Sequence, residues 1–157
     1  MPIHTERQHL PYTAAQLFDL VADVEHYPEF MPWVVAAHIR RREHQTVFVD
    51  MTIGSGPLRR RFSTAAVLHR PDRIDITSND QLFRHFLQRW TFATGATGGT
   101  DLEYRVDFEL RSGVLQALLA AVLAGQIVAT IAAFRRRANE LYGLNERRRL
   151  MRPRDAE

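Results

Sequence analysis

The groups with which this chain of 157 residues could do chemistry are seven histidines, 18 carboxylates, 21 basic residues and no cysteine. Without cysteine there is no disulfide, no thiolate zinc site and no thiol nucleophile. The histidines form no metal motif: none is spaced H-x-H or H-x-x-x-H, and His4 and His9 would point to opposite faces of a strand. Asp107 and Glu109 share one strand face beside Arg105, which reads as solvated cross-strand charge rather than an acid–base pair. The Gly54-Ser55-Gly56-Pro57 run is a hairpin turn, not a phosphate loop. No serine has a base implied nearby. The expectation is no metal and no catalytic residue.

Charge and apolar surface remain. Every basic residue is arginine, in triplets at 40–42, 59–61, 135–137 and 147–149. Residues 1–110 carry 12 arginines against 14 acids, a net −2, and residues 111–157 carry nine against four, a net +5. A basic C-terminal third suits an anionic membrane surface, RNA or plain solubility. Aromatic residues are not interleaved with the triplets, so base stacking has no support, and no DNA partner is expected. Residues 1–16 lack the basic and then apolar character of a secretion signal, which predicts a cytoplasmic protein.

The elements that must position these groups are legible from periodicity. A polar segment at 4–10 suits an edge strand. Thr13 and Gln16 form a capping box with Tyr12 able to staple onto Leu17, and Ala14, Leu17, Phe18 and Val21 make one helical face. Pro28 and Pro32 hold 25–32 as a tight aromatic connection. Period-two patterning predicts strands near 33–42, 46–53, 58–69, 73–78, 84–93 and 100–111, joined as a meander. Residues 114–142 read as one helix about 43 Å long, ended by Gly143, with no charge between Val114 and Phe134. Residues 1–143 then form one domain, and 144–157 an arginine-rich mobile tail.

That uncharged helix is long enough to span a bilayer, but Gln116, Gln126, Thr130, Gly125 and seven alanines dilute it. The alternative is a helix with one stripe on the sheet and another on an apolar ligand. In the meander, the triplets 40–42 and 135–137 with Arg70 and Arg73 share one pole, offset only by Glu43 and Asp72. The triplet 59–61, Arg84 and Arg111 lie near the other pole, where adjacent Leu82 and Phe83 sit in a polar turn. Two large apolar side chains there suggest an exposed gate over a ligand entrance.

Residues 20–33, LVADVEHYPEFMPW, closely resemble the signature of the coenzyme Q-binding protein family, of the START-like, polyketide cyclase-like superfamily. Further matches are Asp50-Met51-Thr52-Ile53-Gly54, Pro71-Asp72-Arg73-Ile74-Asp75, Phe83-Arg84-His85, Arg89-Trp90-Thr91-Phe92, Val106-Asp107-Phe108-Glu109 and Leu141-Tyr142-Gly143. Val34 stands where relatives often carry cysteine, and Ser55 where an aromatic often follows Ile-Gly, which implies a roomier wall. The resemblance implies an α+β helix-grip fold: an antiparallel sheet of six or seven strands wrapped around a long C-terminal helix, with short helices after the first strand. It also implies a non-enzymatic chaperone for ubiquinone, a bound ligand rather than a catalytic cofactor, supporting respiration or quinone synthesis. The ligand would lie among Tyr27, Phe30, Trp33, Met51, Phe62, Phe86, Gln88, Trp90, Phe92, Tyr104 and Phe108 of the sheet side, and Leu119, Val122, Leu123 and Gln126 of the helix. It would enter past Leu82 and Phe83, with peripheral contact at an anionic inner membrane. Ribosome-association toxins among the relatives make the ribosome an alternative partner, and cyclases or dehydratases make an enzyme the second alternative.

Overall fold

The computed structural model describes residues 3–31, 33–54 and 56–143, without the side chains of residues 119–127. The expected tail at 144–157, Ser55 and the helix candidates Leu119, Val122, Leu123 and Gln126 therefore lie outside what is described. The chain order is β1 (Ile3–Leu10), α1 (Ala14–Ala22), a 3-10 segment (Val24–Glu29), β2 (Val34–Glu43), β3 (Thr46–Ile53), a 3-10 turn (Gly56–Leu58), β4 (Arg60–His69), β5 (Arg73–Thr77), β6 (Phe83–Thr94), β7 (Thr100–Leu110) and α2 (Gly113–Ala138).

The strands form one antiparallel sheet of seven in the order β1-β7-β6-β5-β4-β3-β2, so β2 to β7 are the expected meander and β1 returns to pair with β7. Alternation decides the faces. Tyr104, Val106, Phe108 and Leu110 of β7 are buried on the inner face, while Asp101 and Arg105 face water. A bulge in β6 shifts the register between Phe83 and His85, skipping Arg84. That one-residue shift puts Phe83 on the face of Phe86, with ring centroids 4.8 Å apart, although their spacing in sequence is odd.

The helices cover parts of the inner face. Thr13 caps α1 with the reciprocal Gln16 bonds expected of a capping box, and Leu17, Phe18, Leu20 and Val21 are buried. The single helix expected over 114–142 ends sooner: α2 stops at Ala138 and widens into a π turn, Asn139–Gly143. Contacts with the segment between β1 and α1 and with α1 itself hold that turn. Tyr12 donates to Asn139, Tyr142 donates to the Gln16 carbonyl at 2.9 Å, and the two tyrosine rings pack 5.8 Å apart.

On the outer face, ion pairs join the strands. Asp50 accepts from Ser63 Oγ at 2.7 Å and Arg61 Nη2 at 3.2 Å, and meets Arg40 Nε at 3.0 Å. Asp75 accepts from Arg73 at 2.9 Å and Arg89 at 2.7 Å, and Asp107 meets His85 at 2.8 Å. The expected basic pole is present in position but not in charge. Arg70 is forked onto Asp19 at 2.9 Å and Arg137 meets Glu29 at 2.9 Å, so acids distant in sequence neutralise much of it.

Asp50 supplies a pH test. Its burial acts to raise the carboxyl pKa, but the Ser63 bond and then Arg61 and Arg40 outweigh this and hold it below its ordinary value. A carboxyl depressed in the folded state contributes stability at neutral pH, and loses that contribution as pH falls through the folded value. The gap in urea midpoint between the native chain and Asp50→Asn should therefore narrow from about pH 6 to about pH 3. A constant gap would contradict the assigned ion pairs.

Candidate ligand cavity

Between the inner face of the sheet and the helices lies a cavity of 480 Å³. Alternate residues of adjacent strands build its wall: Val49, Met51 and Ile53 from β3, Phe62, Thr64 and Ala66 from β4, Ile76 from β5, Phe86, Gln88 and Trp90 from β6, and Tyr104, Val106 and Phe108 from β7. Val24, Tyr27, Met31 and Trp33 of the connection and Ala129, Thr130 and Phe134 of α2 complete it.

One end is sealed by aromatic rings. Trp90 packs against Tyr104 at 4.3 Å and edge-on to Phe134 at 5.0 Å, and Phe134 meets Tyr27 at 5.4 Å. Such tilted contacts suit ring quadrupoles and add to the area they bury. The Tyr27 hydroxyl is tied to the Val21 carbonyl. At the other end, where β3 runs into β4 and α2 begins, the wall is Leu58, Arg60, Leu82, Phe83 and Leu110.

The polar content is small and largely self-satisfied. Gln88 Nε2 donates to the Tyr104 hydroxyl at 3.0 Å, leaving the phenol hydrogen and the amide carbonyl as one donor and one acceptor toward the cavity. Burial raises the pKa of both Tyr27 and Tyr104, so each stays a neutral phenol. Among the described residues the wall holds no histidine, aspartate or glutamate, and no group of three or more such side chains anywhere could hold a metal.

Most of the residues expected from sequence meet in this wall: Tyr27, Trp33, Met51, Phe62, Leu82, Phe83, Phe86, Gln88, Trp90, Tyr104 and Phe108. Two do not. Phe92 is inward but packs edge-on against Phe18 of α1 at 5.6 Å, because α1 fills the space beyond Trp90. Phe30 meets Phe134 edge-on at 5.3 Å and lies beneath the Arg137 guanidinium at 5.4 Å, outside the cavity lining. The exposed pair expected in the turn before β6 is also corrected. Phe83 is buried, folded onto Phe62 at 5.1 Å, and only Leu82 stays half-exposed. Sequence reasoning missed Val24, Met31, Val49, Thr64, Ile76, Thr130, Phe134 and Arg60. Strand parity alone reveals Arg60, since it opens β4 two residues before Phe62.

An open antiparallel sheet gripping a C-terminal helix around an apolar cavity is a helix-grip fold. The chain matches the family described as polyketide cyclase / dehydrase and lipid transport over residues 10–135, and it belongs to that family, the START-like superfamily its motifs resemble. It is 30% identical over 144 residues to the ribosome association toxin RatA of Pseudomonas aeruginosa, covering 91% of this chain and 100% of the toxin. It is 28% identical over 148 residues to the mitochondrial coenzyme Q-binding protein COQ10 homolog B of Xenopus laevis, covering 91% of this chain and 60% of that one. In structure it superposes on the ZhuI aromatase/cyclase of Streptomyces with a TM-score of 0.76 at 17% identity, covering 88% of this chain and 93% of the other, a likeness of fold.

The hydrogen-bonded pair in the wall predicts an asymmetric mutational response. Gln88→Leu leaves the buried Tyr104 hydroxyl without its partner and should cost about 1–3 kcal/mol in chemical denaturation. Tyr104→Phe leaves only the half-exposed Gln88 amide and should cost less, and the double variant should recover part of the Gln88→Leu loss. Strictly additive losses would show that the pair is not coupled.

Proposed function

We propose that the chain is a non-catalytic carrier of a hydrophobic prenyl-quinone, ubiquinone or a close analogue, serving respiration or quinone synthesis. The observation that carries this is the 480 Å³, largely apolar cavity with the hydrogen-bonded Gln88–Tyr104 pair on its wall. Its volume falls in the range of ligand pockets, about 300–1,000 Å³. One donor and one acceptor beside stacked rings suit a quinone oxygen, and the remaining apolar wall suits an isoprenoid tail at about 0.8 kcal/mol per buried CH₂. The coenzyme Q-binding relative supports the same ligand class.

Ligand exchange would occur where the cavity meets the start of α2. Val114 and Leu118 are exposed there, with Arg59, Arg84 and Arg111 at the same pole. Apolar residues ringed by arginines suit an anionic phospholipid surface, at about 1 kcal/mol per charged contact. Among the described residues no helix is long and apolar enough to cross a membrane, so the proposed contact is peripheral.

A second reading rests on the full-length alignment with the ribosome association toxin. It would use the arginine-rich poles on ribosomal RNA or protein, and it requires salt-sensitive co-sedimentation with ribosomal subunits without bound lipid.

Both tryptophans of the chain, Trp33 and Trp90, line the cavity. Decylubiquinone should therefore quench the intrinsic fluorescence with saturation near one equivalent, and Trp33→Phe should retain that saturable quenching through Trp90. Quenching that is linear with concentration, as for free tryptophan, would overturn the carrier reading.

A further inference from the structure

The triplet at 59–61 is split by the pleat. Arg59 is exposed, Arg61 faces outward onto Asp50, and Arg60 lies across from Ile53 on the inner face, in line with Phe62. Arg60 is half-buried and lines the cavity mouth with Leu58, Leu82 and Phe83. Its Nη1 donates to the carbonyls of Pro57 at 3.0 Å and Arg59 at 2.8 Å, which fixes the plane of the guanidinium. Both Nη1 hydrogens are thereby used, and the edge formed by Nε–H and Nη2–H remains, a fork that matches the two oxygens of a carboxylate.

No carboxylate answers it from within. Among the described residues none comes within salt-bridge distance of Arg60, and the charges of the cavity wall are Arg60 and the exposed Arg136, both positive. A guanidinium at the cavity mouth with two backbone acceptors and no counter-ion among the described residues is a charge that the acid of a ligand would pair. At the opposite end the wall is largely aromatic, with Trp90, Phe134 and Tyr27 packed edge to face, so an apolar chain terminus finds apolar surface there.

We infer that Arg60 is a head-group clamp, and that the cavity takes a single-chain amphiphile bearing a carboxylate, with the acid at the mouth and the chain directed toward Trp90. The inference rests on the hydrophobic-ligand reading of the same cavity. It extends the ligand class from neutral quinones to acidic lipids, such as fatty acids or prenylated aromatic acids. Arg60 binds; it has no catalytic part.

The test compares laurate with dodecanol, which share a chain and differ in head charge, in titrations of the full chain below their aggregation concentrations. Laurate should bind at least about tenfold more tightly, as a charge-assisted fork warrants. Arg60→Gln should remove that preference by weakening laurate alone, with dodecanol affinity reporting that the cavity is intact. Arg61→Gln, the same charge lost one residue away on the outer face, should keep the preference. Arg60→Lys, which retains charge without the fork, should keep only part of it and serves if Arg60→Gln does not fold. Equal affinity for the two ligands, or a preference that survives Arg60→Gln, would overturn the clamp and leave the hydrophobic reading standing. Binding of neither ligand would overturn both.

Discussion

One helix cannot cover seven strands. At about 4.8 Å between neighbours the sheet is about 29 Å wide, whereas a helix with its side chains is about 10–12 Å across. Here α2 packs on β1 and β7, α1 on β5 and β6, and the Val24–Glu29 segment on β2. Over β3, β4 and the first half of β6 no such close helix packing is found among the described residues, and the cavity lies there, between the sheet and α2. Closing that gap with small side chains would need the sheet to collapse, and its cross-strand ladders forbid this. The sequence instead places large rings along the gap, so the uncovered face becomes a walled cavity. Position, size and polarity of the site all follow from that mismatch of widths.

The same geometry sorts the charges. Residues pointing outward can be paired across strands at little cost, as Asp50, Asp75 and Asp107 are with their arginines and His85. Residues pointing inward cannot, because the facing surface is apolar. The described buried side-chain polar atoms all have partners, and Gln88 with Tyr104 shows how the wall achieves this, by closing the pair on itself. Arg60 is the departure, held by carbonyls of its own turn.

The fold was largely legible because period-two alternation is strong in β6 and β7, and because Thr13 with Gln16 and the prolines mark the helix and its exit. β3 begins and ends where the pattern places it. Three features were not legible. The β6 bulge reverses parity for one residue, and nothing in Phe83-Arg84-His85 announces it, so Phe83 reads as exposed in the turn when it is buried in the cavity wall. Phe92 shares the alternation of Trp90, and only the packing of α1 separates core from cavity. The basic pole looked uncompensated because Asp19 and Glu29 reach it through tertiary folding, 51 residues from Arg70 and 108 from Arg137. Alternation identifies a face, whereas the neighbour that fills it comes from elsewhere in the chain.

The central claim is that the uncovered inner face is a ligand site and not a void of the apo fold. The most direct measurement is isotope-filtered NMR on labelled chain with unlabelled decylubiquinone, reading nuclear Overhauser contacts between ligand and side chains. The expected result is contacts from the quinone ring to Tyr104 and Trp90 and from the tail to Met51, Phe86 and Phe108, all on the inner face. Contacts confined to outer-face residues such as Phe48 and Leu87, or none at saturating ligand, would contradict it.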